Sequence, residues 1–255
     1  MGNKIRIDQL LVERGLAGTR NQAQALLIAG SVLVDGRKIE KPGHTVSPEA
    51  EIRLLGKLPF ASRAGSKLAA ALDHFAISVE DRICADLGAS TGGFTDCLLQ
   101  RGAREVHAFD VGRDLLAWKL RTDRRVVIHD RFNVRNIKPD DLPRGISLVT
   151  IDLSFISVTK VLPPLKESLN RGGTGIVDLI VLVKPQFEVG KGEVGKGGIV
   201  RDREKRLQAL RMVEKSALEA GYAAIGSMPS PVAGAKGNEE FLLYLRLPAI
   251  YDPLL

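Results

Sequence analysis

The segment from Ile83 to Leu99, ICADLGASTGGFTDCLL, is the feature that most constrains the fold of this chain. A short apolar run leads into a turn of glycine and small residues, and a second run with helical character follows the turn. Glycine lets a ligand approach the backbone of such a turn closely. The segment therefore predicts a strand, a ligand-binding turn and a helix, with the ligand at the carboxyl edge of the strand.

The chain beyond Arg63 alternates between strand and helix patterns. Strands are predicted near Ile83–Leu87, Val106–Asp110, Val126–Ile128, Ser147–Asp152, Ile176–Lys184, Tyr222–Met228 and Glu240–Leu247. Helices are predicted between them, with another over Asp202–Ala220 that ends at Gly221. This alternation is typical of an α/β fold with a parallel, doubly wound, Rossmann-like sheet. A linker to the preceding stretch is predicted at Gly56–Pro59.

Three classes of ligand were weighed for the glycine turn. A dinucleotide site has the pattern G-x-G-x-x-G, and a nucleoside triphosphate site ends in Gly-Lys-Ser/Thr, but the run from Gly88 to Thr95 has neither. It has instead Asp86 at the end of its strand and a second acid, Asp110, at the end of the next strand. These acids suit the ammonium and the ribose hydroxyls of S-adenosylmethionine. The turn favours a methyltransferase, and other Rossmann-like functions remain open at this point.

The stretch before the predicted sheet forms a separate small unit. A helix over Ile7–Arg14, a second helix opened by the capping box TRNQ (Thr19–Gln22), and a hairpin at Asp35-Gly36 are predicted. Residues 1–60 carry nine Lys or Arg and six Asp or Glu. Four cations lie at helix starts and at the hairpin turn, where RNA phosphates would be met: Arg6, Arg20, Arg37 and Lys38. A solvated surface would explain this charge equally well.

The segment RIDQLLVERGLAGTRNQAQALLIAGSVLVDGRKIEKPG resembles the αL-type RNA-binding domain. That domain is shared by a ribosomal protein of the small subunit, pseudouridine synthases and tyrosyl-tRNA synthetases. The resemblance covers Arg6 to about Leu54. It implies a small α+β domain, predicted at residues 1–58, that contacts structured RNA mostly through shape and phosphates.

Six further motifs follow in order: FASRAGSKL, DLGASTGGFTDCLL, AFDVGRDLLAWKLR, VTIDLSFISVTKVLP, LVKPQFEVGKGEVGKGGIVRD and SPVAGAKGNEEFLLYL. With the first segment they resemble the TlyA family, historically labelled haemolysins, which joins such an RNA-binding domain to an FtsJ-like methyltransferase domain, here predicted at residues 59–255. The resemblance implies methyl transfer from S-adenosylmethionine to the 2′-hydroxyl of cytidine in ribosomal RNA. It also implies seven cofactor contacts: Asp86, Gly88, Ser90, Gly92, Gly93, Asp110 and Asn133. The chain departs from the family at Arg113 and Asp114, where glycine and glutamine are usual.

Methylation of a ribose hydroxyl requires that a poor nucleophile be aligned and relieved of its proton. Alignment of two bound reactants can supply about 7–11 kcal/mol. The base must titrate nearer neutrality than a free lysine, whose pKa is about 10.4. FtsJ-like enzymes carry a Lys-Asp-Lys-Glu set, and the motifs match it to Lys67, Asp152, Lys184 and Glu240. We expect Lys184 to act as base or to orient the hydroxyl, Asp152 to hold it, and the other two to position the ribose. Glu239 remains an alternative to Glu240.

The glycine-rich run Glu188–Asp202 is the least regular part of the predicted sheet domain. It contains too many glycines to pack as a helix or strand. Two interpretations remain open, a mobile basic flap that closes over RNA and cofactor, and a solvated loop.

Two other functions remain open from the sequence: a non-catalytic RNA-binding protein, and a membrane-active cytolysin as the historical label suggests. The net charge of +7 favours a polyanionic partner only weakly. No apolar leader is seen, and the most apolar run, Ile176–Val183, contains Asp178 and falls short of the roughly 20 residues of a spanning helix. Cys84 and Cys97 have no metal-ligand spacing and fit a reducing compartment. We therefore predict a cytoplasmic protein that binds ribosomal RNA or ribosomal subunits, with no membrane association, no metal and an open oligomeric state.

Overall fold

The computed structural model describes residues 4–28, 30–55, 59–172, 175–190, 192–195 and 197–249. The chain divides into two compact units, Met1–Arg63 and Ala64–Leu255, which are described separately below. The linker predicted at Gly56–Pro59 lies almost wholly outside the described residues. The boundary between residues 58 and 59 therefore stays a prediction.

The first unit is a small α+β structure. Its elements are β1 (Ile5–Arg6), α1 (Ile7–Glu13), α2 (Arg20–Ile28), β2 (Val32–Val34), β3 (Arg37–Lys38), β4 (Thr45–Val46) and β5 (Ile52–Leu54). Strand β1 pairs with β4, and β2 lies between β3 and β5, all antiparallel. Ile7, Leu11 and Leu27 are fully buried where the two helices pack together. This small core holds the unit together.

Local sequence signals in the first unit produce the expected turns. Asp35 and Gly36 have φ values of 49° and 75°, so both central residues of the β2–β3 hairpin are left-handed, as a type I′ turn requires. Thr19 caps α2, because its hydroxyl accepts a hydrogen bond from the Gln22 amide at 3.2 Å. The Gln22 side chain accepts from the Gly18 amide at 3.0 Å rather than from that of Thr19. The capping box is therefore present with its return bond displaced by one residue.

The second unit is built around a seven-stranded sheet. Its elements are α3 (Ala64–His74), β6 (Ile83–Leu87), α4 (Gly93–Gln100), β7 (Glu105–Phe109), α5 (Trp118–Arg121), β8 (Val126–His129), β9 (Ile146–Ile151), α6 (Leu162–Gly172), β10 (Val177–Val183), α7 (Pro185–Glu188), α8 (Arg203–Glu219), β11 (Ala223–Pro229) and β12 (Phe241–Leu247). The strand order is β11-β12-β10-β9-β6-β7-β8. The predicted doubly wound α/β sheet is confirmed, with strand ends within a residue or two of those predicted.

One strand of the sheet, β12, departs from the parallel arrangement predicted from the sequence. Strands β6, β7, β8, β9 and β10 pair with one another in parallel, whereas β12 is antiparallel to both β10 and β11. The reason is the short connection between Pro229 and Phe241. A parallel neighbour needs a crossover of a dozen or more residues, usually through a helix, and this connection is too short for one.

The central strands of the sheet form the core of the second unit. All seven residues of β10 are buried, as expected for a strand covered on both faces. Cys84 and Cys97 are also buried, and burial raises the pKa of both thiols to about 12. They are core residues, packed as small apolar side chains. Across the described part of the chain, no helix has both the length and the apolar character needed to cross a membrane.

Candidate active site

The carboxyl ends of four neighbouring parallel strands bring the predicted residues to one edge of the sheet. Lys184 follows β10, Asp152 lies directly after β9, Gly88 follows β6 and Asp110 follows β7. These strands are adjacent in the order β10-β9-β6-β7. Ligands bind at this edge of α/β sheets, so the fold itself collects the candidate residues.

The four predicted catalytic residues form two lysine–carboxylate pairs. Lys67, in α3, donates to Glu240 at 2.6 Å, and the two side chains are only 9% and 2% exposed. Lys184 Nζ lies 2.6 Å from Asp152 Oδ1 and donates to Ser154 Oγ at 3.0 Å. Each ammonium group is thus held in place by an acceptor, and both pairs are largely shielded from water.

Gln186, which sequence reasoning missed, connects the two pairs. It lies in α7, two residues after Lys184, and its amide nitrogen is 3.4 Å from the free oxygen of Glu240. Its own carbonyl oxygen is buried and has no hydrogen-bond partner among the residues described. Glu239 lies elsewhere: its side chain is 68% exposed and pairs with Arg206 at 2.9 Å. The geometry therefore favours Glu240 over Glu239 as the fourth member of the set.

Glu188 fastens the loop after β10 to the loop after β9. This last residue of α7 is buried, and its carboxylate accepts from Ser157 Oγ at 2.5 Å and from the Val158 amide at 2.9 Å. Burial raises the pKa of Glu188 above its usual value. Because α7 begins just after Lys184 and the other loop carries Ser154, this contact holds the partners of the lysine in register. The sequence signal was a glutamate in a glycine-rich run, which sequence analysis assigned to the flap.

Phe155 is an exposed aromatic side chain beside the Lys184 pair. It is 86% exposed and has a φ of +65°, a left-handed conformation that a bulky residue rarely adopts. Its ring centroid lies 5.1 Å from that of Phe187, and Lys184 Nζ lies 5.9 Å from the Phe187 ring. An aromatic residue three positions after Asp152 was the available signal. Strained residues cluster at functional sites, so this residue joins the candidate site.

A cavity of about 490 Å³ extends along the sheet edge. It is lined by Gly88, Ser90, Phe109, Asp110, Val111, Leu115, Phe132, Asn133, Val134, Arg135, Asp152, Leu153, Ser154, Phe155 and Ile156. Four of the seven predicted cofactor residues are in this lining, namely Gly88, Ser90, Asp110 and Asn133. Because Asp152 also lines it, the cavity reaches from the glycine turn to the Lys184 pair. Its mostly apolar walls with a few polar groups are typical of a small-molecule site.

Asp110 presents a fixed carboxylate to the cavity. One oxygen accepts from the Ser90 amide at 2.8 Å and the other from the Gly112 amide at 2.7 Å. Each carboxylate oxygen has a further lone pair that can accept a hydrogen bond. Asp110 can therefore accept from two hydroxyl groups, as the ribose of the predicted cofactor would require.

Two glycines of the turn are required by close packing. Gly88 has a φ of +89°, and a Cβ there would lie 2.5 Å from the carbonyl oxygen of Asp152. Gly92 has a φ of +91°, and a Cβ would lie 2.2 Å from Leu120. Gly92 and Gly93 are buried outside the cavity lining. These two shape the turn, whereas Gly88 brings the turn against the end of β9.

Asp86 does not lie in the cavity lining, contrary to the contact expected with the cofactor ammonium group. It has no exposed surface, and its two oxygens accept from Thr95 at 2.6 Å and Thr150 at 2.9 Å. Burial raises the pKa of Asp86 to about 6. Since Thr95 belongs to α4, Asp86 holds the glycine turn from beneath. The strand pattern predicted that Asp86 lies at the end of β6, but it did not predict that the side chain is buried.

The glycine-rich run after Glu188 is anchored rather than open. Asn238, which is buried, accepts from the Val200 amide at 3.1 Å and donates to the Gly198 carbonyl at 2.9 Å. Lys236 donates to the Gly197 carbonyl at 2.9 Å. The run, for which a mobile flap and a solvated loop were both open, is therefore tied at its distal end to the loop before β12. Two of its lysines, at positions 191 and 196, lie outside the described residues.

In the first unit, Asp8 organises two of the predicted RNA contacts. Arg6 donates two hydrogen bonds to Asp8 at 3.0 Å, and both Arg20 and Gln24 donate to it at 3.0 Å. Asp8 is completely buried, and the hydrogen bonds from Arg6 hold its pKa well below the usual range. The two arginine side chains remain 44% and 49% exposed, so they can still meet a phosphate.

The other two predicted RNA contacts lie on the hairpin of the first unit. Arg37 and Lys38 form the exposed strand β3. Lys38 Nζ lies 3.9 Å from a carboxylate oxygen of Glu40, a loose ion pair at the surface. Among the described residues, neither cation has a buried carboxylate partner like Asp8.

Comparison with known proteins places both units in described families. Residues 60–247 match the FtsJ-like methyltransferase family, and residues 5–52 match the S4 domain. The 16S/23S rRNA (cytidine-2′-O)-methyltransferase TlyA of Mycobacterium tuberculosis is 45% identical over 96% of this chain and 91% of its own length. Hemolysin A of Brachyspira hyodysenteriae is 40% identical over 94% of this chain and 99% of its own length. A solved structure named after hemolysin, from Streptococcus thermophilus, has a TM-score of 0.74 at 41% identity, covering 97% of this chain and 90% of that one.

Proposed function

The chain belongs to the FtsJ-like methyltransferase family and carries an S4 domain, and from this premise we propose that it methylates the ribose 2′-hydroxyl of cytidine in ribosomal RNA. The methyl donor is S-adenosylmethionine. The observation that carries the proposal is the pair of lysine–carboxylate contacts, Lys67–Glu240 and Lys184–Asp152, at the sheet edge that also holds the cavity. A close relative in Mycobacterium tuberculosis is named as an rRNA (cytidine-2′-O)-methyltransferase, which supports the choice of substrate.

Two features of the cavity suit the cofactor. The fixed carboxylate of Asp110 offers acceptors for two ribose hydroxyls, and the absence of a side chain at Gly88 lets a ligand lie against the turn. When bound, S-adenosylmethionine supplies an electrophilic methyl group. We propose cofactor contacts from Gly88, Ser90, Asp110 and Asn133, with the remaining turn residues supporting them from behind.

The two lysine–carboxylate pairs suit the two tasks of the reaction. We propose that Lys184, at the cavity, binds the 2′-hydroxyl and accepts or orients its proton, while Asp152 and Ser154 hold the ammonium group. Lys67 and Glu240 are more deeply buried, and we propose that they position the ribose and balance the local charge. Positioning and proton transfer account for the chemistry, so the proposal includes no metal ion.

The S4 domain provides the affinity for structured RNA in this proposal. Arg6 and Arg20 are held ready by Asp8, so less side-chain entropy is lost when they bind phosphates. Arg37 and Lys38 extend the cationic surface along the hairpin. Since ribosomal RNA is the substrate, we further propose that the protein acts in the cytoplasm on ribosomal RNA or on ribosomal subunits.

Methyl transfer by the purified protein to ribosomal subunits that lack the modification tests the proposal. We expect labelled S-adenosylmethionine to yield 2′-O-methylcytidine on nuclease digestion and mass analysis of the RNA. Glu240→Gln should lose most of this activity, whereas Glu239→Gln, the adjacent exposed glutamate, should keep it. Methylation on a base, or equal activity in the two variants, would contradict the proposed chemistry or the proposed set of residues respectively.

A further inference from the structure

Trp118 is a large apolar side chain that is mostly exposed to solvent. It is the single tryptophan of the chain and is 77% exposed. Its neighbours Leu116 and Leu120 are buried, and the amide of Ala117 donates to the carbonyl of Thr91, in the glycine turn, at 3.2 Å. The backbone under Trp118 is therefore fixed beside the turn while its ring faces solvent. An exposed aromatic on a fixed base is typical of an interaction site.

Cations surround this tryptophan along the chain. Arg113 and Arg121 both pair with Asp114, at 3.1 and 2.5 Å, and Arg131 acts with them to lower the pKa of that carboxyl. Asp130 accepts from the Asp114 amide at 3.1 Å, and Asp96 pairs with Lys119, the residue after Trp118, at 2.6 Å. From residue 113 to residue 135 the chain has seven Lys or Arg and three Asp. The segment carries a clear positive excess.

The cofactor does not account for the exposure of Trp118. Val111 and Leu115 are also exposed, but both line the cavity, where a bound cofactor would cover them. Trp118 is not in the cavity lining. Its exposed ring and the neighbouring guanidinium groups are thus available to a different ligand, and the positive excess favours a polyanion over an apolar protein surface.

We propose that Trp118, Arg113, Arg121 and Arg131, here called the α5 patch, form a second RNA-contact surface. Trp118 stacks on an unpaired base of the ribosomal RNA, and the arginines bind the phosphates beside it. The combination of an aromatic platform with flanking cations is what unpaired RNA requires. The inference rests on the proposed function, because it assumes a ribosomal RNA substrate, and it adds a contact outside the cavity and outside the S4 domain.

One carboxylate orders two arginines of the α5 patch. Asp114 lies 3.1 Å from Arg113 and 2.5 Å from Arg121, so both guanidinium groups are held at the same point. Two guanidinium groups ordered on one carboxylate retain further N–H donors for phosphate oxygens. We therefore expect Arg113→Gly to weaken RNA binding and to reduce its salt dependence, since one cation is lost.

The single tryptophan allows a direct test on the unmodified full-length protein. Protein-free ribosomal RNA contains no tryptophan, so we expect its addition to quench the Trp118 fluorescence and to protect the ring from acrylamide. S-adenosylmethionine alone should leave the acrylamide protection unchanged. Trp118→Ala should weaken RNA binding about tenfold, the contribution of one stacked base, and Trp118→Phe should restore most of it. Ile225→Ala, which truncates an exposed apolar residue on the edge strand β11, is the matched control and should bind as the wild type does.

The outcomes separate this inference from the proposed function. If the protein methylates ribosomal RNA but Trp118 fluorescence and acrylamide access do not change on RNA binding, the α5 patch is refuted and the proposed function stands. Equal RNA affinity of wild type and Trp118→Ala would refute it in the same way. If ribosomal RNA is bound with Trp118 protected but no methyl group is transferred, the patch stands and the proposed function fails.

Discussion

At the residue scale, the proposed chemistry depends most on Lys184. This side chain is held by Asp152 and Ser154 at the end of a buried strand, and the cavity reaches its partner. Lys184→Ala removes both the orientation of the hydroxyl and any acceptance of its proton. Loss of a general base alone lowers rates by about 10²- to 10⁴-fold, so we expect at least that loss in single-turnover methyl transfer at saturating cofactor.

Lys184→Arg separates the two roles of the lysine. Arginine keeps the positive charge but is always protonated, so it cannot act as a base. Near-complete loss of activity in both variants would identify Lys184 as the base, whereas partial activity in the arginine variant would indicate orientation by charge. Cofactor and RNA binding should stay within a few-fold of wild type. A wild-type rate in the alanine variant would show that the site is assigned wrongly.

Asp86 links the residue scale to stability. Burial raises its pKa from a usual value near 3.8 to about 6, so the native state binds this proton more tightly than the unfolded state. The contribution of Asp86 to the stability of the folded protein is therefore most favourable below about pH 4 and is lost as pH rises through 6. A shift of about two units corresponds to about 3 kcal/mol in the free energy of unfolding.

Asp86→Asn should remove this pH dependence, because the amide stays neutral and the hydroxyls of Thr95 and Thr150 can accept from it. Urea unfolding of both proteins between pH 4 and 8 measures the effect. We expect the variant to gain stability relative to wild type as pH rises through 6. Parallel stability curves for the two proteins would contradict the raised pKa of the carboxyl.

At the element scale, α1 and α2 are joined by a buried ionic cluster whose arginines we propose to bind RNA. Asp8 lies in α1, while Arg20 and Gln24 lie in α2. If only net charge mattered, Asp8→Asn would strengthen RNA binding, because it removes a negative charge. We expect the opposite, a several-fold weaker affinity, because Arg6 and Arg20 lose the acceptor that orders them.

The same substitution should lower stability at neutral pH, since the hydrogen bonds from Arg6 lower the pKa of Asp8 and favour its charged form in the folded state. The stabilisation by Asp8 is present above its unfolded pKa and is lost as pH falls through the folded one. RNA affinity by filter binding and unfolding by urea provide the two measurements. Tighter RNA binding by the Asp8→Asn variant would show that ordering of the arginines is unimportant.

Element boundaries were predictable from sequence wherever the hydrophobic periodicity agreed with capping residues and helix-ending glycines. The helix α8 begins after the cap at Asp202 and ends before Gly221, as predicted, because a capping side chain and a left-handed glycine act locally. The direction of β12 was not predictable from its own residues, since it depends on the length of the preceding connection. Local signals thus determine the elements, and connections determine how they pair.

The site was predictable where the chain has a motif and not where it depends on distant partners. Lys67 and Glu240 were matched by motif and meet in the fold. The burial of Asp86 depends on Thr150, which is 64 positions away, so no local pattern indicated it. Gln186 and Glu188 contribute through contacts that also cross between strands. Positions of supporting residues of this kind follow from three-dimensional packing alone.

At the scale of the whole molecule, the proposals assign RNA affinity mainly to the first unit, with a second RNA contact at the α5 patch, and the chemistry to the second unit. The S4 domain presents ordered cations, and the methyltransferase domain holds the cavity at the same sheet edge as the two lysine–carboxylate pairs. The net charge of +7 is consistent with a partner rich in phosphate. The division accounts for one chain that both binds structured RNA and methylates it.

The most direct test of this account is a map of 2′-O-methylated nucleotides in ribosomal RNA from cells that contain or lack the protein. We predict that at least one cytidine loses its 2′-O-methyl group when the protein is absent. The group should return on expression of the wild-type protein and stay absent on expression of Lys184→Ala. Identical maps with and without the protein would contradict the account, as would restoration by the Lys184→Ala variant.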